Sequence, residues 1–182
     1  MITILICPGL SNSGPAHWQT LWEQSMTQAV RVQQADWDNP TRTAWMAGLT
    51  SAVSAVSDEI ILVAHSLGCA LVAHWMAAGM PGLSGAQKIR GALLVAPPDV
   101  GHTGFPAPCF SPMPTVPFSF PVKVIASDDD PWCDIAVSRA WAEAWQAEFH
   151  NIGAKGHING ESGLGDWKQG KDWLSELLSQ AR

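Results

Sequence analysis

Strand-length and helix-length signals alternate from one end of this chain to the other. Strand signals fall near Ile2 to Cys7, Arg31 to Ala35, Glu59 to Ala64, Ile89 to Ala96, Val122 to Ser127 and Glu148 to Ile152. The third, fourth and fifth are apolar almost throughout, the pattern of strands covered on both faces. Helices are predicted near Pro15 to Ala29, Pro40 to Val56, Leu67 to Ala78, Asp134 to Ala147 and Gly170 to Gln180, with Pro15 and Pro40 read as first-turn residues. Trp18, Leu21, Trp22 and Met26 share one face of the first helix, and Trp45, Met46, Leu49, Val53 and Val56 share a broad face of the second. Both faces should bury against a sheet. The alternation predicts an α/β protein, a three-layer α/β/α sandwich around a mainly parallel sheet of about six strands. With 182 residues and no repeat, residues 1–182 are expected to form a single domain.

One long gap interrupts the pattern, Pro97 to Pro121, with Pro98, Pro106, Pro108, Pro112, Pro114 and Pro117 inside it. A stretch of this length without regular structure is usually a binding loop or lid. Its prolines exclude a helical cap domain, so any lid is small and stiff.

The stretch from Glu59 to Ala78 carries the most information. The run Ile60-Ile61-Leu62-Val63 enters Ala64-His65-Ser66-Leu67-Gly68 and leaves as the apolar Cys69-Ala70-Leu71-Val72-Ala73. Strand, sharp turn and helix in this order form a nucleophile elbow, which lifts the Ser66 hydroxyl above the sheet edge at a helix N-terminus. Small residues at Ala64 and Gly68 let strand and helix pack closely beneath the serine. A membrane span over Ile60 to Met80 would place His65, Ser66, Gly68 and His74 at bilayer depth, which argues against it. The other competing reading is a packed strand and helix with an idle serine.

A serine nucleophile needs a general base oriented by a carboxylate. After Ser66 comes Val122-Lys123-Val124-Ile125-Ala126-Ser127, a strand opening into Asp128, Asp129, Asp130 and Pro131. Carboxylates at the C-terminal end of such a strand sit where open α/β sheets place their chemistry. One helix and one strand later comes Gly156-His157-Ile158-Asn159, a histidine on a loop. His65 adjoins the serine, His74 lies within the following helix, His17 within the first helix and His150 within a strand, while His102 precedes the aspartates, so His157 is the candidate base. Three adjacent aspartates cannot all face the same way. Pro131 restricts Asp130 to extended backbone and favours it, with Asp129 as the alternative.

Gly9-Leu10-Ser11-Asn12-Ser13-Gly14 has the glycine spacing of half a phosphate loop, but Pro15 and Ala16 stand where Lys and Ser/Thr are needed. After the first strand, this turn can instead supply a backbone N–H to an oxyanion hole, Leu10 being the candidate and Gly9 the alternative, beside Leu67, the residue after the serine.

Composition narrows the function classes. The net charge is −6, and Arg31, Arg42, Lys88, Arg90, Lys123, Arg139 and Lys155 are scattered without forming a basic stripe, so nucleic acid is not an expected partner. Cys7, Cys69, Cys109 and Cys133 form no Cys-x-x-Cys pair, which points to reduced thiols in a cytoplasmic protein and away from a zinc or disulfide framework. The start, Met1-Ile2-Thr3-Ile4-Leu5, lacks a basic signal-peptide region and reads as a strand. Ten tryptophans and no tyrosine are mostly core packing, though Trp18, Trp37 and Trp132, with Phe105, are candidates to line an acyl pocket.

Taken in order, Pro8-Gly9, His17-Trp18 with Trp22, Asp36-Trp37 with Pro40 and Trp45, His65-Ser66-Leu67-Gly68, Leu94-Val95-Ala96-Pro97, Asp129-Asp130-Pro131 and Gly156-His157 resemble the small single-domain α/β hydrolases of the retinoblastoma-binding-protein type. The resemblance implies an α/β-hydrolase core without a cap. It also implies a triad of Ser66, Asp130 and His157, since the family places its acid immediately before the proline. The animal member's binding segment is Leu-x-Cys-x-Glu, whereas here Leu5-Ile6-Cys7-Pro8-Gly9 lacks the Glu, so a retinoblastoma-type partner is not expected. The expected activity is cleavage of a small carboxylic ester, amide or thioester through an acyl-enzyme, with no metal or organic cofactor. The rival expectation is a binding module on the same fold with a vestigial triad.

Overall fold

The computed structural model describes residues 1–57, 59–84 and 89–180; Lys88, one of the scattered basic positions, lies outside them. The strands are β1 (Ile2–Cys7), β2 (Ala29–Arg31), β3 (Glu59–His65), β4 (Ile89–Val95), β5 (Val122–Ala126) and β6 (Glu148–Asn151). The helices are α1 (Trp18–Ser25), α2 (Arg42–Ser54), α3 (Leu67–Ala77), α4 (Ile135–Trp145) and α5 (Lys168–Gln180). All strand pairs are parallel, in the order β2-β1-β3-β4-β5-β6. This is the single parallel sheet with helices on both faces that the alternation predicts, and the architecture that the resemblance implies.

The period-two alternation within each strand sorts its side chains onto two faces. Leu5, Leu62, Ala92, Leu94 and Val124 face a cluster built with Trp45 and Leu49 of α2, Leu71 and Trp75 of α3, and Trp145 of α4. Ile4, Ile6, Ile61, Val63, Leu93 and Ile125 face the other side, where Trp18 and Trp22 of α1 meet Trp173, Leu174 and Leu177 of α5. Two helices therefore cover one face and three the other. β3 and β4, the central strands, have almost no exposed residue.

Two predicted elements move. The second strand lies at Ala29–Arg31 and not at Arg31 to Ala35, because its pairing is Ile4 with Ala29, Leu5 with Val30 and Ile6 with Arg31. Beyond that, the Val32 N–H donates to the Ile6 carbonyl at 2.8 Å and the chain then leaves the sheet. The first helix is correspondingly shorter than Pro15 to Ala29, since Ala29 is taken by the strand. At its start Pro15 and Ala16 lie in a turn, and His17 is the N-cap, its Nδ1 accepting the Gln19 N–H at 3.1 Å. Pro40 likewise precedes its helix, which Thr41 caps.

The proline-rich gap contains only a short 3₁₀ turn, Pro108–Phe110. Phe105, Ala107, Phe110, Met113 and Phe118 anchor it in the core. His74 Nε2–H donates to the Phe110 carbonyl at 2.7 Å and Trp145 Nε1–H to the Pro114 carbonyl at 2.8 Å. It is a pinned wall, and no helical cap occurs in it. Among the described residues no helix is long and apolar enough to cross a membrane.

Candidate active site

Ser66 sits between β3 and α3 with φ +53° and ψ −124°, a conformation that costs energy in any residue other than glycine. The surroundings enforce it. A Cβ on Gly68 would lie 2.2 Å from the Cys7 carbonyl oxygen, and one on Gly9 would lie 2.8 Å from the Ser66 Cβ. Glycine at both positions lets the end of β1 pass directly beneath the serine, and brings the Gly9-Leu10 turn beside the start of α3. Leu67, as the first residue of α3, has an N–H that the helix leaves unpaired.

His157 reaches the site on the loop between β6 and the 3₁₀ turn Gly160–Ser162. Its Nε2 lies 2.7 Å from Ser66 Oγ, and its Nδ1 lies 2.8 and 2.9 Å from the two carboxylate oxygens of Asp130. An ionised carboxylate can only accept, so Nδ1 carries the proton and Nε2 presents a lone pair to the serine hydroxyl. Asp130 is fixed in turn by the Trp132 N–H at 2.9 Å, and its side chain is 3% exposed.

The three consecutive aspartates bond to different partners. Asp128 accepts from Asn151 Nδ2 at 2.7 Å, at the end of β6. Asp129 Oδ1 accepts both the Ser127 hydroxyl at 2.8 Å and the Gly156 N–H at 2.7 Å, which ties β5 to the residue before His157. Those bonds hold its carboxyl below the usual range. Only Asp130 reaches the imidazole.

Several residues to which the motifs gave no part in holding His157 shape this loop. His65 Nε2–H donates to the His157 carbonyl at 2.8 Å, and Trp18 Nε1–H to the Ile158 carbonyl at 2.9 Å. Ile158 itself is fully buried with φ +48°, a strained position for a β-branched side chain. The Lys155 N–H donates to Ser127 Oγ at 2.8 Å. Burial, reinforced by the charges that His157 and its histidine neighbour would carry, holds His65 well below 6.5; burial and Arg31 lower His17 to about 4. The adjacency of His65 to Ser66 is the available signal, but nothing local in the sequence shows what its ring touches.

The turn Gly9 to Gly14 is braced from behind. The Arg31 guanidinium donates to Asn12 Oδ1 at 2.9 Å and to the Ser13 carbonyl at 3.0 Å. Fully buried Gln19 accepts the Ser13 hydroxyl at 2.7 Å and donates to the Val63 carbonyl at 3.1 Å.

A cleft of about 520 Å³ opens over Ser66, lined among others by Leu10, His17, His157, Phe105, Pro106 and Trp132. Trp132 and Phe105 are thus on the wall, 5.7 Å apart edge to face. Trp18 and Trp37 are not. Trp18 is 1% exposed and lies beneath the site, spent on the Ile158 carbonyl, while Trp37 packs on Trp45 and its carbonyl accepts the Ser11 N–H. Among the described residues no cluster of His, Cys, Asp and Glu has the arrangement of a metal site. Cys7, Cys69 and Cys133 are buried free thiols; burial pushes Cys7 up to about 12 and Cys133 to about 11.

A family model described as serine hydrolase matches residues 4–176. Among solved structures, a YdeN-like hydrolase from Pectobacterium atrosepticum shares 29% identity, with a TM-score of 0.88 over 100% of this chain and 92% of the other. The ydeN gene product of B. subtilis superposes with a TM-score of 0.77 at 20% identity, over 98% and 100% of the two chains. Est1E from Butyrivibrio proteoclasticus, solved with ferulic acid, gives 0.67 at 13% identity over 98% and 90%. The last two show the shared fold. A search of curated proteins finds no match.

Proposed function

The chain belongs to the serine hydrolase family, and on that premise we propose that it cleaves a small carboxylic ester, amide or thioester with Ser66 as nucleophile, His157 as general base and Asp130 as the group that holds the imidazole tautomer. One observation carries the reading: the unbroken series of contacts from Ser66 Oγ through His157 to Asp130, at 2.7 and 2.8 Å. As Ser66 Oγ attacks the acyl carbon, its proton passes to His157 Nε2, and the imidazolium that forms is stabilised by Asp130. The carbonyl oxygen becomes an oxyanion facing the N–H groups of Leu67 and Leu10. His157 then returns the proton to the leaving group, and water enters by the reverse path to free the acid.

Within the family, we place the chain nearest the retinoblastoma-binding-protein type. The partner of the animal member does not transfer with it: Leu5, Ile6 and Cys7 lie buried in β1, where no second protein can reach them. Buried free thiols support a cytoplasmic setting. The substrate is a small acyl compound of short chain, because the wall formed by Phe105 and Pro106 is a pinned loop without an apolar cap to enclose a long one.

Ser66→Ala should lower kcat by on the order of 10⁴ or more and abolish fluorophosphonate labelling, with the fold retained. Labelling that survives the substitution would overturn the assignment.

A further inference from the structure

The 3₁₀ turn that follows His157 carries a carboxylate to the rim of the cleft. Asn159 Oδ1 accepts the Glu161 N–H at 3.0 Å, the Asn159 N–H donates to Ser162 Oγ at 3.0 Å, and the Ser162 hydroxyl donates to the Lys155 carbonyl at 2.7 Å, so the backbone of Gly160–Ser162 is fixed relative to His157. The Glu161 side chain takes no part in this. It is exposed, and among the described residues its carboxylate makes no hydrogen bond or ion pair.

Glu161 lines the cleft over Ser66. Outside the triad it is the only side chain of that lining, among the described residues, that is ionised at neutral pH, since burial holds His17 and His65 neutral. A rim carboxylate acts on a ligand without touching it, because its field extends over about 8 Å, the Debye length at physiological salt. Two further features pull the same way. Trp132 lines the cleft and is only partly buried, and an indole face attracts cations. The chain as a whole carries −6, which enriches cations at its surface.

Proton transfer decides which part of the substrate meets this charge. The leaving-group oxygen must come within hydrogen-bond reach of His157 Nε2 to take its proton. Glu161 follows His157 on the same loop, and an adjoining hollow of about 530 Å³ shares Trp132, His157, Asn159 and Glu161 with the cleft, so a leaving group has room along this turn. Lys155 lines that hollow and not the cleft, which favours holding a cation at the shared rim over drawing it deeper.

We propose that Glu161, together with Trp132, is a specificity-determining residue that binds a cationic group on the leaving-group side of the substrate, so that the preferred substrates are short-chain esters of amino or quaternary ammonium alcohols. Ser66 Oγ bonds to the acyl carbon, the bond to the alcohol oxygen breaks, that oxygen takes the proton from His157, and water then releases the acid. The inference rests on the hydrolase reading of Ser66 and His157 and names a substrate class for it.

Two substitutions at this exposed position leave the fold alone and change only its charge: Glu161→Gln and Glu161→Lys. Each is compared with wild type on acetylcholine against 3,3-dimethylbutyl acetate, which differ by a nitrogen cation in place of a carbon. A second pair, betaine ethyl ester against ethyl 3,3-dimethylbutanoate, puts the same charge on the acyl side. Intrinsic reactivity cancels when the ratio of kcat/KM within a pair is compared between proteins. For the first pair the ratio should fall about three- to fivefold in Glu161→Gln, the scale of one exposed ion pair, and about tenfold or more in Glu161→Lys, where attraction becomes repulsion. Choline should also weaken as a competitive inhibitor in both. Unmoved ratios would make Glu161 a solvated surface carboxylate and overturn the proposal, as would a shift in the second pair as large as in the first, or Ser66-dependent turnover of p-nitrophenyl acetate with none of acetylcholine. Ser66→Ala run alongside separates the two readings: p-nitrophenyl acetate turnover that survives it sinks the role of Ser66, whereas Ser66-dependent turnover with unmoved ratios sinks the role of Glu161 alone.

Discussion

The two halves of the site are held in place by different physics. Ser66 is fixed by steric exclusion: a strained backbone clamped between β3 and α3, with Gly9 and Gly68 at distances that admit no side chain. His157 is fixed by polar bonds. His65, Trp18 and Asp129 hold the carbonyls and the N–H around it, and Asp130 holds its ring, while the loop has no regular structure of its own. A clamp made of packed backbone fails as a whole, because a well-packed region cannot yield by a fraction of an ångström without cost. A clamp made of separate hydrogen bonds fails in graded steps. Substitutions at the glycines that clamp Ser66 should therefore act on stability, and those at the bonds that hold His157 on rate.

The largest effect expected in the polar half is that of Asp130→Asn. The amide keeps the shape but can donate to Nδ1, favouring the tautomer that leaves no lone pair for Ser66, and kcat should fall by roughly 10⁴ with little change in Tm. A loss below about a hundredfold would show that Asp130 is not the group that orients His157.

In the steric half, Gly68→Ala should leave few properly folded molecules to assay. Its methyl would meet the Cys7 carbonyl at 2.2 Å, against rigid backbone on both sides. A destabilisation of about 3 kcal/mol is expected, equivalent to roughly 10 °C in Tm for a chain of this size. Retained stability with lost rate would blur the distinction between the halves.

The difference also explains what was legible in the sequence. The elbow was readable because sterics act locally: apolar run, small residue, serine, glycine and apolar helix all lie within one contiguous stretch. The succession of strands and helices followed from the alternation; the short edge strand β2 and both ends of α1 moved most, since weak local signals there yield to pairing with β1. The polar clamp was not readable. His65 and His157 are far apart in the chain, and Trp18, taken for a pocket wall, serves as a donor beneath the loop because the tertiary fold brings Ile158 over it. Residue type showed that these side chains could bond, whereas only the folded chain shows to what.

Acidity should separate the halves as well. His17 and His65 are buried neutral on the polar side, with His17 lowered from 6.5 to about 4. As pH falls below 6.5 the unfolded chain takes up these protons while the folded one does not, so stability is undiminished above pH 6.5 and declines toward pH 4. At about 1.4 kcal/mol per pH unit, His17 alone accounts for a loss of about 3 kcal/mol. Urea titrations at pH 7 and pH 4.5 should show the loss in wild type and a smaller one in His17→Asn. Identical slopes for the two proteins would mean that His17 is protonated in the fold.

The smallest effect is the most discriminating, because it tests whether the polar clamp works by shape or by charge. Asp129 holds the His157 loop through one oxygen, Oδ1, which accepts both the Ser127 hydroxyl and the Gly156 N–H. Asparagine retains such an oxygen, so Asp129→Asn should cost only a few-fold in kcat, while Asp129→Ala leaves the Gly156 N–H without its partner and should cost about ten- to thirtyfold, the scale of one lost hydrogen bond to a charged acceptor. Neither should move KM much, since Asp129 anchors the His157 loop and is absent from the cleft wall. Next to Asp130→Asn the contrast is sharp: the same chemical change one residue apart is nearly silent where the carboxylate is a loop anchor and crippling where it sets a tautomer. If Asp129→Asn proves as damaging as Asp129→Ala, the anchor acts through its charge, and the graded-bond picture of this half must give way to an electrostatic one.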